Sequence, residues 1–348
     1  MASMDIFNSN AFSAFSLIDA LEEINTKPDY LGTLDKEFGL FQQRPVRTET
    51  VAIEKRDNVL SLIQTTPRGA PLEEGGPGDR TIRDFRTVRI AKGDNITASE
   101  IQGIRAFGSE TELKAVGAEI NYRLKLLTDD LELTHENMRL SAVQGVLTDA
   151  DGSTIYDWFT QWGVSQDSEI DFDLDNGSPA SGALIKKCDQ VVTQTRQAAK
   201  GARFTRIIGL CGTSFWRDLI AHEHVQKLWE LITLYGDQTG IAAIMGLPGN
   251  HVIEFGGITF VRYWGTDDDS TVAIGTNECK FFPLGGRGVF QVAYSPMESF
   301  GFANTPGRDR YALIVRDTER DMWVKPEVYS YPLHICTRPK MLQRGKRT

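Results

Sequence analysis

Apolar residues recur every three or four positions between Ser109 and Leu147. Leu113, Val116, Ile120, Leu124, Leu127 and Leu131 fall on one stripe of a helix, and Met138, Ala142 and Val146 carry it onward in weaker register. Ser109 and Glu112 have the spacing of a capping box, so the serine oxygen takes an orphan amide and the glutamate reaches back. No proline interrupts the run, and Gly117 and Gly145, read as interior positions, cost ~1 kcal/mol each. At about 1.5 Å per residue the predicted helix spans roughly 55 Å, well beyond the usual globular length. Glu119 precedes Arg123 by four, the favourable order for an ion pair. Asp129, Asp130, Glu132 and Glu136 load the middle with acid, which places that stretch, His135 included, at the surface. The seam is not a clean heptad, which argues against a coiled coil.

The stretches before this helix have another texture. Residues 1–43 carry short apolar clusters (Phe12, Phe15, Leu17, Ile18, Leu21, then Tyr30 to Phe41) broken at Pro28. They read as an N-terminal arm that takes its core from the rest of the chain or from another subunit. Val46, Thr48, Thr50 and Ala52 alternate with Arg47, Glu49 and Val51, and Val59 to Ile63 offers a further strand. Thr65 to Arg80 holds three prolines and four glycines in sixteen residues, too many for helix or sheet core. Alternation resumes from Arg83 to Ile90, so residues 44–92 predict a long hairpin around a loop. Thr97 and Glu100 form a second capping box, opening a short helix through Phe107 that Gly108 closes.

After Thr148 the elements become shorter. Asp149 to Gly152 is a turn, followed by the bulky Ile155, Trp158, Phe159 and Trp162. Glu169 to Asp175 alternates acid with Ile170, Phe172 and Leu174, as an exposed strand with one apolar face would. Ser178-Pro179 suits the start of a helix that runs to Lys200 and stops at Gly201. Arg203 to Leu210 reads as a strand, and Ser214 to Ile232 as a second amphipathic helix. Val252 to Trp264 reads as paired strands turning at Gly256-Gly257, with short strands at Thr271 to Ile274 and Lys280 to Leu284. This order describes an α+β domain inserted into the first one. Tyr311 to Arg316 and Met322 to Ile335 read as closing strands that return to the long helix, and Lys340 to Thr348 as a basic tail.

Length, 348 residues, suits about two domains. The net charge of −9 argues against a dedicated nucleic-acid binder. Residues 44–92 depart from it: ten basic and seven acidic residues make them net positive, which suits an acidic neighbour of the same kind. Cys188, Cys211, Cys279 and Cys336 are widely separated and read as buried free thiols, without zinc-site spacing. There is neither an apolar run of membrane length nor a signal-peptide pattern.

Candidate chemistry is sparse. His222 and His224 flank Glu223, but residues two apart on a helix do not share a face. His251 and His334 have no obvious companion. Gly285-Gly286-Arg287-Gly288 lacks the lysine and hydroxyl of a phosphate loop and reads as a turn. Asp267-Asp268-Asp269 lacks calcium-loop spacing. Arg196, Arg203, Arg206 and Arg217 suit surface or intersubunit ion pairs. No convergent catalytic set is apparent, so no catalytic, cofactor-binding or metal residue is assigned.

The ordered parts are an arm (1–43), an extended loop (44–92), a region with the long helix (93–150), an inserted α+β domain (151–274) and a closing segment (275–348). With Pro67-Arg68-Gly69-Ala70 in the loop, the helix from Ser109, and Pro306 through Pro339 with Gly307, Arg308, Trp323 and Tyr329 to Pro332, the chain resembles the major capsid proteins of tailed bacteriophages. It is most similar to the lambda-type family. The resemblance implies a Hong Kong 97-type fold, with a spine helix in a peripheral domain, an axial domain inserted after it, and a loop lying over a neighbouring subunit. It implies self-assembly into pentamers and hexamers of an icosahedral shell around double-stranded DNA, held without sequence-specific contacts. Scaffolding protein, portal, protease and, in the lambda type, small decoration proteins are the implied partners, and the host cytoplasm the implied place of assembly. Encapsulin-like compartments, which share the fold, or another virion structural protein remain the alternative. Some relatives crosslink a loop lysine to a distant asparagine. Here Lys55 is the one loop lysine before Lys92 and lies near the base, so no crosslink is expected.

Overall fold

The computed structural model describes residues 33–36, 38–56, 80–103, 112–227, 252–266, 272–320 and 322–348. The expected strand at Val59 to Ile63, the proline- and glycine-rich loop, Ser109, His251 and Asp267 to Asp269 lie outside these residues.

The long helix is there. Helix α1 is a single turn at Thr33–Lys36, α2 spans Ala98–Gly103, and α3 spans Glu112–Gln144. On α3 the stripe Ile120, Leu124, Leu127 and Leu131 is buried. It packs on Ile96, Ala312 and Val328. Those partners belong to a sheet ordered β14 (Tyr311–Arg316), β15 (Trp323–Ser330), β4 (Ile90–Gly93), with β5 (Ile96–Thr97) also on β15. The closing strands therefore do return to the helix, as a helix-on-sheet layer.

The helix ends earlier than its pattern suggests. Gly145 takes φ +86°, and β6 (Val146–Thr148) leads away to pair with β7 (Thr154–Asp157). A Cβ on Gly145 would lie 2.3 Å from Phe159, so this glycine turns the chain and makes room for an aromatic ring. The acidic middle of the helix is not the free surface it was read to be. His135 and Glu136 are buried, 4% and 1% exposed, because the segment from Leu34 to Phe41 and the closing strands cover that face.

The main core is crossed by a six-stranded sheet, in order β10 (Val252–Phe255), β11 (Ile258–Arg262), β9 (Arg206–Cys211), β12 (Glu278–Leu284), β17 (Gln343–Lys346) and β8 (Ile170–Asp171). Strand alternation divides its side chains between two cores. Ile208, Leu210, Val261 and Phe282 face the main core, with Trp158, Phe290 and Leu333. Ile207, Cys211, Phe260, Cys279 and Phe281 face the second. Helices α5 (Ala183–Ala199) and α6 (Thr213–Ala221) cover the second core with Leu184, Val191, Phe215 and Leu219.

Several expectations change here. Helix α5 starts at Ala183, after Gly182 at φ +74°, rather than at Ser178. The apolar face of residues 170–174 is covered, because Ile170, Phe172 and Leu174 enter the second core. Val272 to Ile274 is irregular chain whose apolar side chains fill the main core. The basic tail is a sheet strand: β17 lies between β12 and β8. Its cations find the acidic run opposite, Lys340 with Asp167, Arg344 with Glu169 at 3.7 Å and Lys346 with Asp171 at 3.5 Å. Strands β12 and β17 pair within the same six strands as β9 and β8.

Candidate assembly surfaces

The hairpin of β2 (Thr50–Arg56) and β3 (Arg80–Arg86) is a two-stranded sheet with seven paired positions, Thr50↔Arg86 through Arg56↔Arg80. Directly opposed residues share a face. Val51, Ile53 and Phe85 are buried on the inner face, whereas Ile82 on the outer face is 67% exposed, beside exposed Thr50, Ala52, Asp84 and Arg86. The root is anchored by aromatic contacts. Phe85 meets Tyr156, Trp158 and Trp162 edge to face, with centroids 5.3–5.8 Å apart. Arg86 donates its amide to the Tyr156 hydroxyl at 3.0 Å. Trp158 and Trp162 lie on α4 (Trp158–Trp162), capped by Asp157 and closed by Gly163 at φ +63°. Thus the sequence cluster after the Asp149 turn works as the hairpin's footing. Val46 to Glu49, expected as strand, is bent chain leading into it.

The N-terminal segment is clamped to α3 by buried charge. Leu34 donates its amide to Glu136 Oε1 at 3.2 Å, and Tyr263 donates its hydroxyl to the same oxygen at 3.3 Å. Arg139 lies 2.9 Å from Glu132, 3.3 Å from Glu136 and 3.6 Å from Asp35. Burial pushes the Glu136 carboxyl above its ordinary range, against the pull of Arg139 and the Leu34 amide. β1 (Gln42–Pro45) then joins β13 (Phe290–Tyr294) in parallel, and β16 (Pro332–Cys336) pairs on the other side.

His334 does have a companion. Its ring is 5.7 Å from that of His135 and 5.3 Å from Phe41, and His135 Nε2 is 3.0 Å from Ser330 Oγ. Burial holds His334 well below the ordinary imidazole value, helped by His135 and Arg139. His222 and His224 also meet, at 4.9 Å, because α6 stops at Ala221 and His222 is extended. Burial, then His224, lowers the His222 pKa. His222 borders an open cavity of about 410 Å³ with Asp175, Glu223 and the ion-paired Asp218 and Arg347. Among the described residues no three His, Cys, Asp or Glu are arranged to hold a metal, and no helix is long and apolar enough to cross a membrane. Gly285 and Gly288, at φ +75° and +76°, form the turn expected before β13.

Exposed apolar groups mark the outer surfaces. Phe300 stands fully exposed on the loop between β13 and β14, while Met297 and Phe302 of that loop pack under Tyr311 and Tyr331. Tyr122 and Leu126, 58% and 47% exposed, sit one turn apart on α3. Sequence reasoning passed over Phe300 and the buried Arg139 cluster. The one available signal for the latter was the Glu132, Glu136, Arg139 spacing on a single helix face.

The comparisons with known proteins agree in direction. The family model described as phage major capsid protein E matches residues 13–347. The chain is 26% identical over 359 residues to the major capsid protein of Salmonella phage Felix O1 (isolate Felix O1-VT1), with 95% of each chain covered. It is 24% identical over 348 residues to that of Pseudomonas phage KPP10, covering 95% of this chain and 97% of the relative. The crystal structure of a protein described as a prophage capsid protein of E. coli CFT073 has a TM-score of 0.57 at 13% identity, over 96% of this chain and 99% of that one, which is a likeness of fold. With the family match running through both cores, the hairpin root and the closing strands, the chain belongs to the phage major capsid protein E family.

Proposed function

We propose that this major capsid protein forms pentamers and hexamers that close into an icosahedral shell around double-stranded DNA. Residues 44–92 act as the extended loop over a neighbouring subunit, α3 as the spine of a peripheral domain, and residues 151–274 as the core of an axial domain. Scaffolding protein, portal and, where the phage has one, a decoration protein are its partners, and assembly takes place in the bacterial cytoplasm. The observation that carries this reading is the hairpin. Its root is locked into the main core by Phe85, yet its outer face presents Ile82 at 67% exposure within a net-positive segment of an acidic chain. An ordered strand pair pays its conformational entropy only where something covers it, and a second acidic copy supplies both apolar area and opposite charge.

The test is electron microscopy and sedimentation of the full chain co-expressed with its phage's assembly proteins. Shells or capsomers are expected from the natural sequence. Ile82→Asp is expected to give a folded protein that sediments as free subunits. A natural chain that stays monomeric at all concentrations, or an Ile82→Asp chain that builds shells in normal yield, overturns the reading.

A further inference from the structure

Cys211 and Cys279 face each other across the β9–β12 ladder. Gly212 donates its amide to the Glu278 carbonyl at 2.9 Å, which makes the cysteines a non-hydrogen-bonded pair. Such antiparallel pairs hold their Cα atoms about 4.5 Å apart, inside the roughly 4.4–6.8 Å that a disulfide spans. The sulfurs are already 3.5 Å apart. Gly209 gives them room, for a Cβ at that position would lie 3.1 Å from Cys279 Sγ and 2.8 Å from the Phe281 ring. Of the other two thiols, Cys188 shares the second core but faces a different neighbour. Cys188 packs its Cβ against the Gly256 turn, where an added Cβ would lie 2.5 Å away, and Cys336 belongs to the main core.

We propose that Cys211 and Cys279 are an oxidation site, at which hydrogen peroxide joins the two thiols into a cross-strand disulfide that clamps β9 to β12. One sulfur attacks the O–O bond of the peroxide, becoming a sulfenic acid and releasing one water. The second sulfur then displaces the sulfenic oxygen, which leaves as water with the second thiol's proton. Two thiols and one peroxide become one disulfide and two waters, with the sulfurs oxidised by two electrons and the peroxide reduced. Both thiols are buried, which keeps bulky oxidants and other thiols out, so the oxidant has to be a small uncharged molecule such as peroxide. Burial also keeps Cys279 protonated, so the step is slow and the pair stays reduced in a thiol-rich cytoplasm. The clamp closes a loop between positions 68 residues apart, a loop that includes α6, β10 and β11.

The full chain, in its native state, is treated with graded hydrogen peroxide, quenched with catalase, denatured, blocked with N-ethylmaleimide and mapped by mass spectrometry. Met322, 58% exposed, serves as an internal dosimeter through its sulfoxide. The expected result is a linked pair of peptides, lighter by two hydrogens, with equal loss of maleimide labelling at Cys211 and Cys279. Cys188 and Cys336 keep their label, and dithiothreitol restores the rest. A dose that converts Met322 while Cys211 and Cys279 stay fully labelled overturns the proposal. So does a link from either one to Cys188, or sulfinic acid in place of a link. The map needs no variant, so a misfolded Cys279→Ser protein leaves it decisive.

Discussion

The backbone amide of Leu34 donates to Glu136 Oε1 at 3.2 Å, joining residues 102 positions apart in the chain. The bond ties the N-terminal segment to the long helix at a carboxylate that is 1% exposed and held by Arg139. Arg139→Met removes the cation and leaves Glu136 and Glu132 facing each other in the core. Breaking a buried pair from one side costs about 3–5 kcal/mol, so chemical denaturation is expected to show a loss of that order. The double variant Arg139→Met with Glu136→Gln is expected to regain part of it.

Acid is expected to loosen the same region through His334. Its pKa in the fold lies well below the ordinary 6.5, so the folded chain keeps the ring neutral while the unfolded chain takes up a proton. The stability it carries is therefore whole above about pH 6.5 and falls as pH drops from there towards the depressed value, by up to ~1.4 kcal/mol per pH unit. Glu136, shifted upward, contributes the opposite slope from its ordinary 4.5 upward. His334→Phe isolates the imidazole: between pH 6.5 and 5 its unfolding midpoint is expected to fall less steeply than that of the natural chain.

Gly307 is expected to resist any side chain. It donates its amide to the Val46 carbonyl at 2.9 Å, and an added Cβ would lie 2.1 Å from the Tyr294 carbonyl oxygen. Backbone cannot step aside as a side-chain tip can, so Gly307→Ala should cost ~1–3 kcal/mol in thermal or denaturant unfolding. Gly301 lies in the same loop with nothing within 4 Å of its would-be Cβ. Gly301→Ala is the matched control and should be close to neutral.

No covalent chainmail is expected in assembled particles. The loop's one lysine before Lys92 is Lys55, paired in β2 opposite Thr81 near the hairpin's described end, and the sequence from Arg56 to Ala91 holds no lysine. Particles boiled in denaturant should run as one band at the mass of the single chain. A ladder of multimers would reverse this.

The long helix and its partners were legible because one period governs both burial and hydrogen bonding, and Ile120 to Leu131 obey it without exception. The hairpin base was legible through alternation, and the Gly256-Gly257 turn through its glycines. Gly145 misled because a helix terminator and a tolerated interior glycine look alike until Phe159 is seen filling the space. His135, Glu136 and Arg139 misled because charge usually signals solvent, whereas here His135 meets Ser330, Glu136 accepts from Leu34 and Arg139 reaches Asp35, all far along the chain. The Cys211–Cys279 pair was invisible for the same reason: it depends on the register of two strands that are distant in sequence.

The position of β17 has a consequence for synthesis. Among the described residues, strand β8, at residues 170–171, joins its sheet only through β17, at residues 343–346. Phe172 and Leu174, made early, hand their amides to Lys346 and Arg347, made some 170 residues later in the order of translation. A nascent chain therefore carries an open sheet edge until residue 347 has left the ribosome. Products truncated before β17 lack the strand that fills this gap, and with it the acceptors for the Phe172 and Leu174 amides.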